Sequence, residues 1–70
     1  LSYQSGEEVI RRDDIASSPL VGIVQTVFKE VPYAGKVYPV IYEVVFDGGR
    51  CRGLFLESDL LPANNGPIIV

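Results

Sequence analysis

The chain has no histidine, no tryptophan and no methionine, and a single cysteine, Cys51. Without histidine it lacks the side chain that most often moves protons near neutral pH. One cysteine excludes an intramolecular disulfide and a multi-cysteine zinc site, and favours a reducing compartment such as the cytoplasm. Long apolar runs are also missing. Stretches such as residues 44–46 and 68–70 fall far short of the roughly 20 residues that a membrane-spanning helix needs. No basic segment followed by an apolar stretch opens the sequence, so neither an export signal nor a membrane partner is expected. Positive charge is in deficit, with six Lys and Arg against nine Asp and Glu and a formal net charge of −3. That balance disfavours nucleic acid as the main partner, because affinity there rests largely on phosphate neutralisation.

What is present is β-forming. The 70 residues are 47% hydrophobic, enough for one core and too few for a second. A chain this short buries only about 60% of its unfolded surface, so its stability is expected to be marginal. Tyr42, Val44 and Phe46 alternate with Glu43, Val45 and Asp47, the period-2 pattern of a half-buried strand. Asp47-Gly48-Gly49 follows, with the residues a two-residue hairpin turn favours. The pattern predicts strands over residues 8–12, 20–31, 37–47, 50–56 and 61–63, with one 3-10 turn at residues 57–60 and connecting loops at residues 13–19 and 32–36. Residues 1–5 read as a loose lead-in. Gly22 marks a bend or a close backbone approach, Pro39 an edge or bulge, and Gly53 a bulge that re-aims its neighbours. The expected core is Val9, Val24, Tyr42, Val44, Phe46, Cys51, Leu54 and Leu60. Five short strands with tight turns imply an all-β, partly open barrel, since a flat sheet does not cover its own apolar face.

The barrel is expected to occupy residues 6–63, followed by a tail over residues 64–70. Arg50 and Arg52 flank Cys51, so both guanidinium groups are expected on the outer face, shared with Glu43 and Asp47. Arg suits interfaces because its fork binds carboxylates through two hydrogen bonds, which makes Arg50 and Arg52 candidate binding residues. Asn64-Asn65-Gly66-Pro67 breaks the chain before Ile68-Ile69-Val70. Three aliphatic β-formers there suggest a strand added to a neighbour's sheet edge, hence a homodimer or higher oligomer with Tyr33 or Tyr38 as aromatic anchors; the alternative is a tail that covers its own barrel mouth or a linker. No catalytic residue, cofactor or metal site is expected. Cys51 has no histidine partner, and Glu57 with Asp59 makes a poor cation site without further oxygen ligands.

Tyr42-Glu43-Val44-Val45-Phe46-Asp47-Gly48, followed by Asp59-Leu60-Leu61-Pro62, resembles the Tudor branch of the SH3-like barrels. There, a Tyr-x-Val-x-Phe strand runs into Asp-Gly, a second strand and an acidic turn ending in Asp-Leu. Gly6-Glu7-Glu8-Val9 and Gly22-Ile23-Val24 are similar to that family's opening strands. The resemblance implies a five-stranded SH3-like barrel. It also implies a possible aromatic cage for methylated lysine or arginine, in which ring faces hold the cation. Phe46 matches a cage position, Gly48 and Arg50 depart from the pattern, and Tyr33 and Tyr38 are the rings that remain to complete a cage. Gly22-Ile23-Val24, Tyr38-Pro39-Val40 and Phe46-Asp47 also resemble the small stromal SH3-like subunit of photosystem I, a docking scaffold. Val37-Tyr38-Pro39-Val40 is similar to only the edge of the pore motif of the plasmid-borne type II dihydrofolate reductases, and lacks its glutamine. The resulting expectation is a non-catalytic protein-interaction or assembly module. A Tudor-like reader of methylated peptides is the first alternative and a nucleic-acid-binding barrel the second.

Overall fold

The computed structural model describes residues 2–14 and 16–63, so the tail at Ile68, Ile69 and Val70 lies outside the described residues. Among the described residues, five strands form one antiparallel sheet: β1 (Glu8–Arg11), β2 (Gly22–Tyr33), β3 (Lys36–Phe46), β4 (Cys51–Phe55) and β5 (Leu60–Pro62). Their spatial order is β4-β3-β2-β1-β5. A 3-10 turn at Glu57–Asp59 links β4 to β5, and a tight turn through Asp47–Gly49 leads from β3 towards β4. The sheet curls without closing, since β4 and β5 are its two outer strands. This is the expected small, partly open all-β barrel.

Alternation along the strands builds the core. Val9, Val24, Tyr42, Val44, Phe46 and Leu60 are buried as expected. One fully buried member comes from β1, one from β2, two from β3 and one from β5, so the core is shared by strands far apart in sequence. Gly22 pairs with Val9 on one side and Phe46 on the other. It lies in the tightest part of the sheet, where a Cβ would stand 2.6 Å from both Phe46 Cε2 and Val44 Cγ1. The irregularity of β2 is a bulge at Gln25, where the β2–β3 register shifts between Val24 and Thr26.

Two expected core residues are not in it. β4 runs in regular register, with Gly53 opposite Val44 and Leu54 opposite Glu43. With no bulge at Gly53, Leu54 shares the outer face with Glu43 and is 65% exposed. Phe55 takes the inward place, and its ring packs edge-on to Phe46 with centroids 5.9 Å apart. Gly53 makes room for that ring, which would lie 3.0 Å from an added Cβ. Cys51 stands opposite Phe46 at the start of an outer strand, where no other strand among the described residues covers it, and it is exposed.

The lead-in is fixed rather than loose. Gly6 N donates to Val24 O at 2.8 Å and Val24 N to Glu7 O at 2.9 Å, extending the β1–β2 pairing towards the N-terminus. This delivers Tyr3 into the barrel, where it is 5% exposed and packs edge-on to Tyr42 at 5.4 Å. In the β1–β2 loop, Asp14 accepts from Leu20 N at 2.9 Å, the local side-chain capping that its turn chemistry leads one to expect.

The turns exchange roles relative to the sequence pattern. Residues 47–50 form a four-residue connection between the paired Phe46 and Cys51, with Asp47, Gly48 and Gly49 all at positive φ. The two-residue hairpin lies instead at Ala34-Gly35, between the paired Tyr33 and Lys36. Both turn residues have positive φ, 53° and 76°, the type I′ geometry that matches strand twist.

Candidate functional site

That tight turn lets β2 and β3 outrun their neighbours. On β3 the last partner of β4 is Tyr42, and on β2 the last partner of β1 is Ile23. Beyond Val27 and Tyr42, therefore, the hairpin continues as a two-stranded arm. In a two-residue hairpin the flanking pair Tyr33–Lys36 exchanges both backbone hydrogen bonds, and such pairs then alternate along the ladder. Val31–Tyr38 and Lys29–Val40 bond inward in the same way, whereas residues 32, 37 and 39 point their backbone groups away from the partner strand. Pro32 and Pro39 thus both fall where an N–H would have projected from an unpaired edge.

β4 leaves the sheet beside the arm because its next backbone donor is diverted. Leu56 N donates to Asp59 Oδ2 at 3.2 Å, and Asp59 N donates back to Leu56 O at 3.0 Å. The end of β1 pins this turn, with Arg12 N donating to Asp59 O at 2.8 Å and Arg12 Nε to Ser58 O at 2.7 Å. The pinned turn and the arm are two walls of a groove of about 640 Å³, floored by Tyr3 and Leu60. Val37, Tyr38, Pro39 and Val40 line the arm side, and Leu56 and Leu61 the opposite side. Lys36 lies at its rim with Nζ 5.3 Å from the centre of the Tyr38 ring, within cation–π range. A second hollow of about 380 Å³ adjoins it through the shared Tyr38 and Leu56, and includes Tyr33, Phe55 and Asp59.

Tyr3 anchors the floor. Its N–H donates to the Tyr42 hydroxyl at 3.1 Å, and its own hydroxyl donates to Leu60 O at 3.3 Å. Burial holds the Tyr3 phenol above its ordinary pKa, the negative charge of Glu57 adds to this, and Arg12 partly opposes it. The folded chain therefore keeps this proton more tightly than the unfolded chain. The stabilisation is complete below the free value of 10.0 and is lost as pH rises through the raised folded value. Tyr3→Phe has no such proton and should lose less stability on going from about pH 8 to about pH 11. Urea midpoints across that range check it, and parallel declines in both proteins would refute the assignment.

The sequence-derived candidates are distributed over separate places. Tyr33 and Tyr38 line the second hollow together. Phe46 is 6% exposed and borders a different, smaller depression with Arg11, Leu20 and Cys51. The structure thus brings two of the three rings together and leaves Phe46 apart from them. Arg52 Nη1 donates to Glu43 Oε2 at 3.0 Å, while Thr26 Oγ1 donates to Glu43 Oε1 at 2.9 Å. Arg52 and Glu43 share the outer face as expected, joined by one Arg52 nitrogen, while Asp47 and Arg50 lie in the connection between β3 and β4. Arg50 sits in the 47–50 connection, exposed, with its N–H bonded to Asp47 O at 3.2 Å. Sequence reasoning missed Tyr3, Arg12, Lys36, Leu56 and Leu61, which topology alone brings to one groove.

No helix among the described residues is long and apolar enough to cross a membrane. No protein-family model matches the chain, and neither the curated proteins nor the solved structures searched contain a match to it.

Proposed function

We propose that this chain is a non-catalytic interaction module on an SH3-like barrel, taking a segment of a protein partner in the groove beside its hairpin arm. The observation that carries this reading is the apolar surface concentrated along that arm. Tyr33 is 69% and Val37 62% exposed, and Phe28 lies on the same arm at 42%. Of these, Val37 lines the main groove and Tyr33 the adjoining hollow, and exposed apolar side chains in a concavity are the usual mark of a binding site on a small domain. The meander with a 3-10 turn before its last strand supports kinship with SH3-like barrels. Selection of displayed random peptides, followed by NMR titration with the enriched sequence, tests the reading. Amide shifts should centre on residues 36–40 and 56–61. A selection that yields no enriched peptide, or shifts confined to the opposite end of the barrel, would overturn it.

A second reading rests on the hollow that holds Tyr33 and Tyr38 beside Asp59. Two rings and a carboxylate are part of the equipment that binds a methylated ammonium group. A trimethyl-lysine peptide that binds better than its unmethylated form, and loses that preference in Tyr38→Ala, would favour a Tudor-like reader.

A further inference from the structure

We propose that the occupant of the main groove is an extended acidic segment, in which apolar side chains alternate with carboxylates. This rests on the reading of the groove as an interaction site and adds the chemistry of the partner. The whole chain has six Lys and Arg against nine Asp and Glu. In the lining of this groove the balance reverses, with Arg12 and Lys36 against Glu57. A surface whose local charge opposes that of the whole molecule selects an anionic partner by complementary potential.

The two cations stand on the two walls, so a segment lying between the walls meets both. Lys36 adjoins the arm tip, directly after the Ala34-Gly35 turn, while Arg12 follows β1 and holds the 3-10 turn through Ser58 O. Val37, Pro39, Leu56 and Leu61 supply apolar lining for the same groove. A volume of about 640 Å³ falls in the range, roughly 300–1,000 Å³, that accommodates a ligand of several side chains. The backbone of the arm limits how that segment binds. Pro39 presents a carbonyl and no N–H on its unpaired edge, so a continuous ladder cannot form there. Recognition falls to side chains: aliphatic groups against the lining, carboxylates to Lys36 and Arg12.

Three labelled peptides of equal length test this by fluorescence anisotropy on the full chain: alternating Val–Glu, Val–Gln and Val–Lys. Val–Glu is expected to bind at least about fivefold more tightly than Val–Gln, and Val–Lys more weakly than both. The preference should shrink as salt is raised to about 1 M, where screening acts within a few ångströms. Lys36→Glu, an exposed change at the arm tip that leaves the core intact, should abolish the preference while circular dichroism stays unchanged. Equal affinities for Val–Glu and Val–Gln would overturn the charge selection and leave the interaction reading standing. Absence of binding by all three up to about millimolar concentration would overturn the proposal. The reading of the groove itself would then stand or fall with the peptide selection above. Tighter binding of an oligothymidylate than of Val–Glu would also overturn it, placing phosphate rather than carboxylate at Lys36 and Arg12.

Discussion

Replacing Gly22 with alanine is expected to destabilise the chain by about 3 kcal/mol, the upper part of the range for overpacking a tight core. The added methyl would stand 2.6 Å from both Phe46 Cε2 and Val44 Cγ1, well inside contact distance. Relief by movement is restricted. The Phe46 ring is held edge-on by Phe55, Val44 is fully buried, and Gly22 is paired on both sides, to Val9 and Phe46. A domain of this length has roughly 4–10 kcal/mol of stability in total. The change should therefore lower the melting temperature by about 10–25 °C. Gly53→Ala is the internal comparison, because its Cβ would meet only the Phe55 ring, at 3.0 Å, and should cost less. Thermal denaturation followed by circular dichroism measures both. A Gly22→Ala protein within about 1 kcal/mol of the parent would show that the sheet opens there more easily than its packing implies.

Tyr42→Ala should remove about 3–5 kcal/mol, most of the stability available to so small a domain. Tyr42 is fully buried, its ring packs against Tyr3, and its hydroxyl accepts the Tyr3 N–H at 3.1 Å. Truncation thus empties the barrel centre and releases the lead-in at once. Tyr42→Phe separates the two effects. It keeps the ring and leaves a buried donor without its acceptor, at a cost of about 1–3 kcal/mol. Urea unfolding gives both values. A Phe variant as unstable as the Ala variant would put the weight on the hydroxyl instead of the ring, against the packing described here.

The alternation in β3 was legible because a strand with one buried face writes its period directly into the sequence: Tyr42, Val44 and Phe46 are all inside. Cys51 and Leu54 show the limit. Hydrophobicity suggested both were inward, but residues three apart in a regular strand face opposite ways, and only an irregularity at Gly53 would have reconciled them. Pro32 reads as a strand breaker and shortens the expected arm, whereas Pro39 fits within a strand as an edge residue. They break nothing at positions that bond to no neighbour. Tyr3 was missed because one aromatic in a polar stretch has no period to reveal it. Tyr33 and Tyr38 stood out as aromatics near a turn. Arg12, Lys36 and Leu56 carry no local signal, because only the return of β5 beside β1 places the Glu57–Asp59 turn across from the arm.

The two arm prolines also bear on how the molecule behaves in a crowded solution. A two-stranded ribbon with exposed Phe28, Tyr33 and Val37 has the composition of an aggregation-prone segment, and bare backbone edges would let copies template on one another. Each edge of this ribbon instead carries a proline where a donor would project, so copies that meet edge to edge find an interrupted row of hydrogen-bonding groups. Glu30, at φ 53° within β2, further spoils the flat extended geometry that stacking needs. Sticky side chains are thereby separated from a sticky backbone. The arm can keep its apolar surface open to water while remaining a poor seed for fibrils.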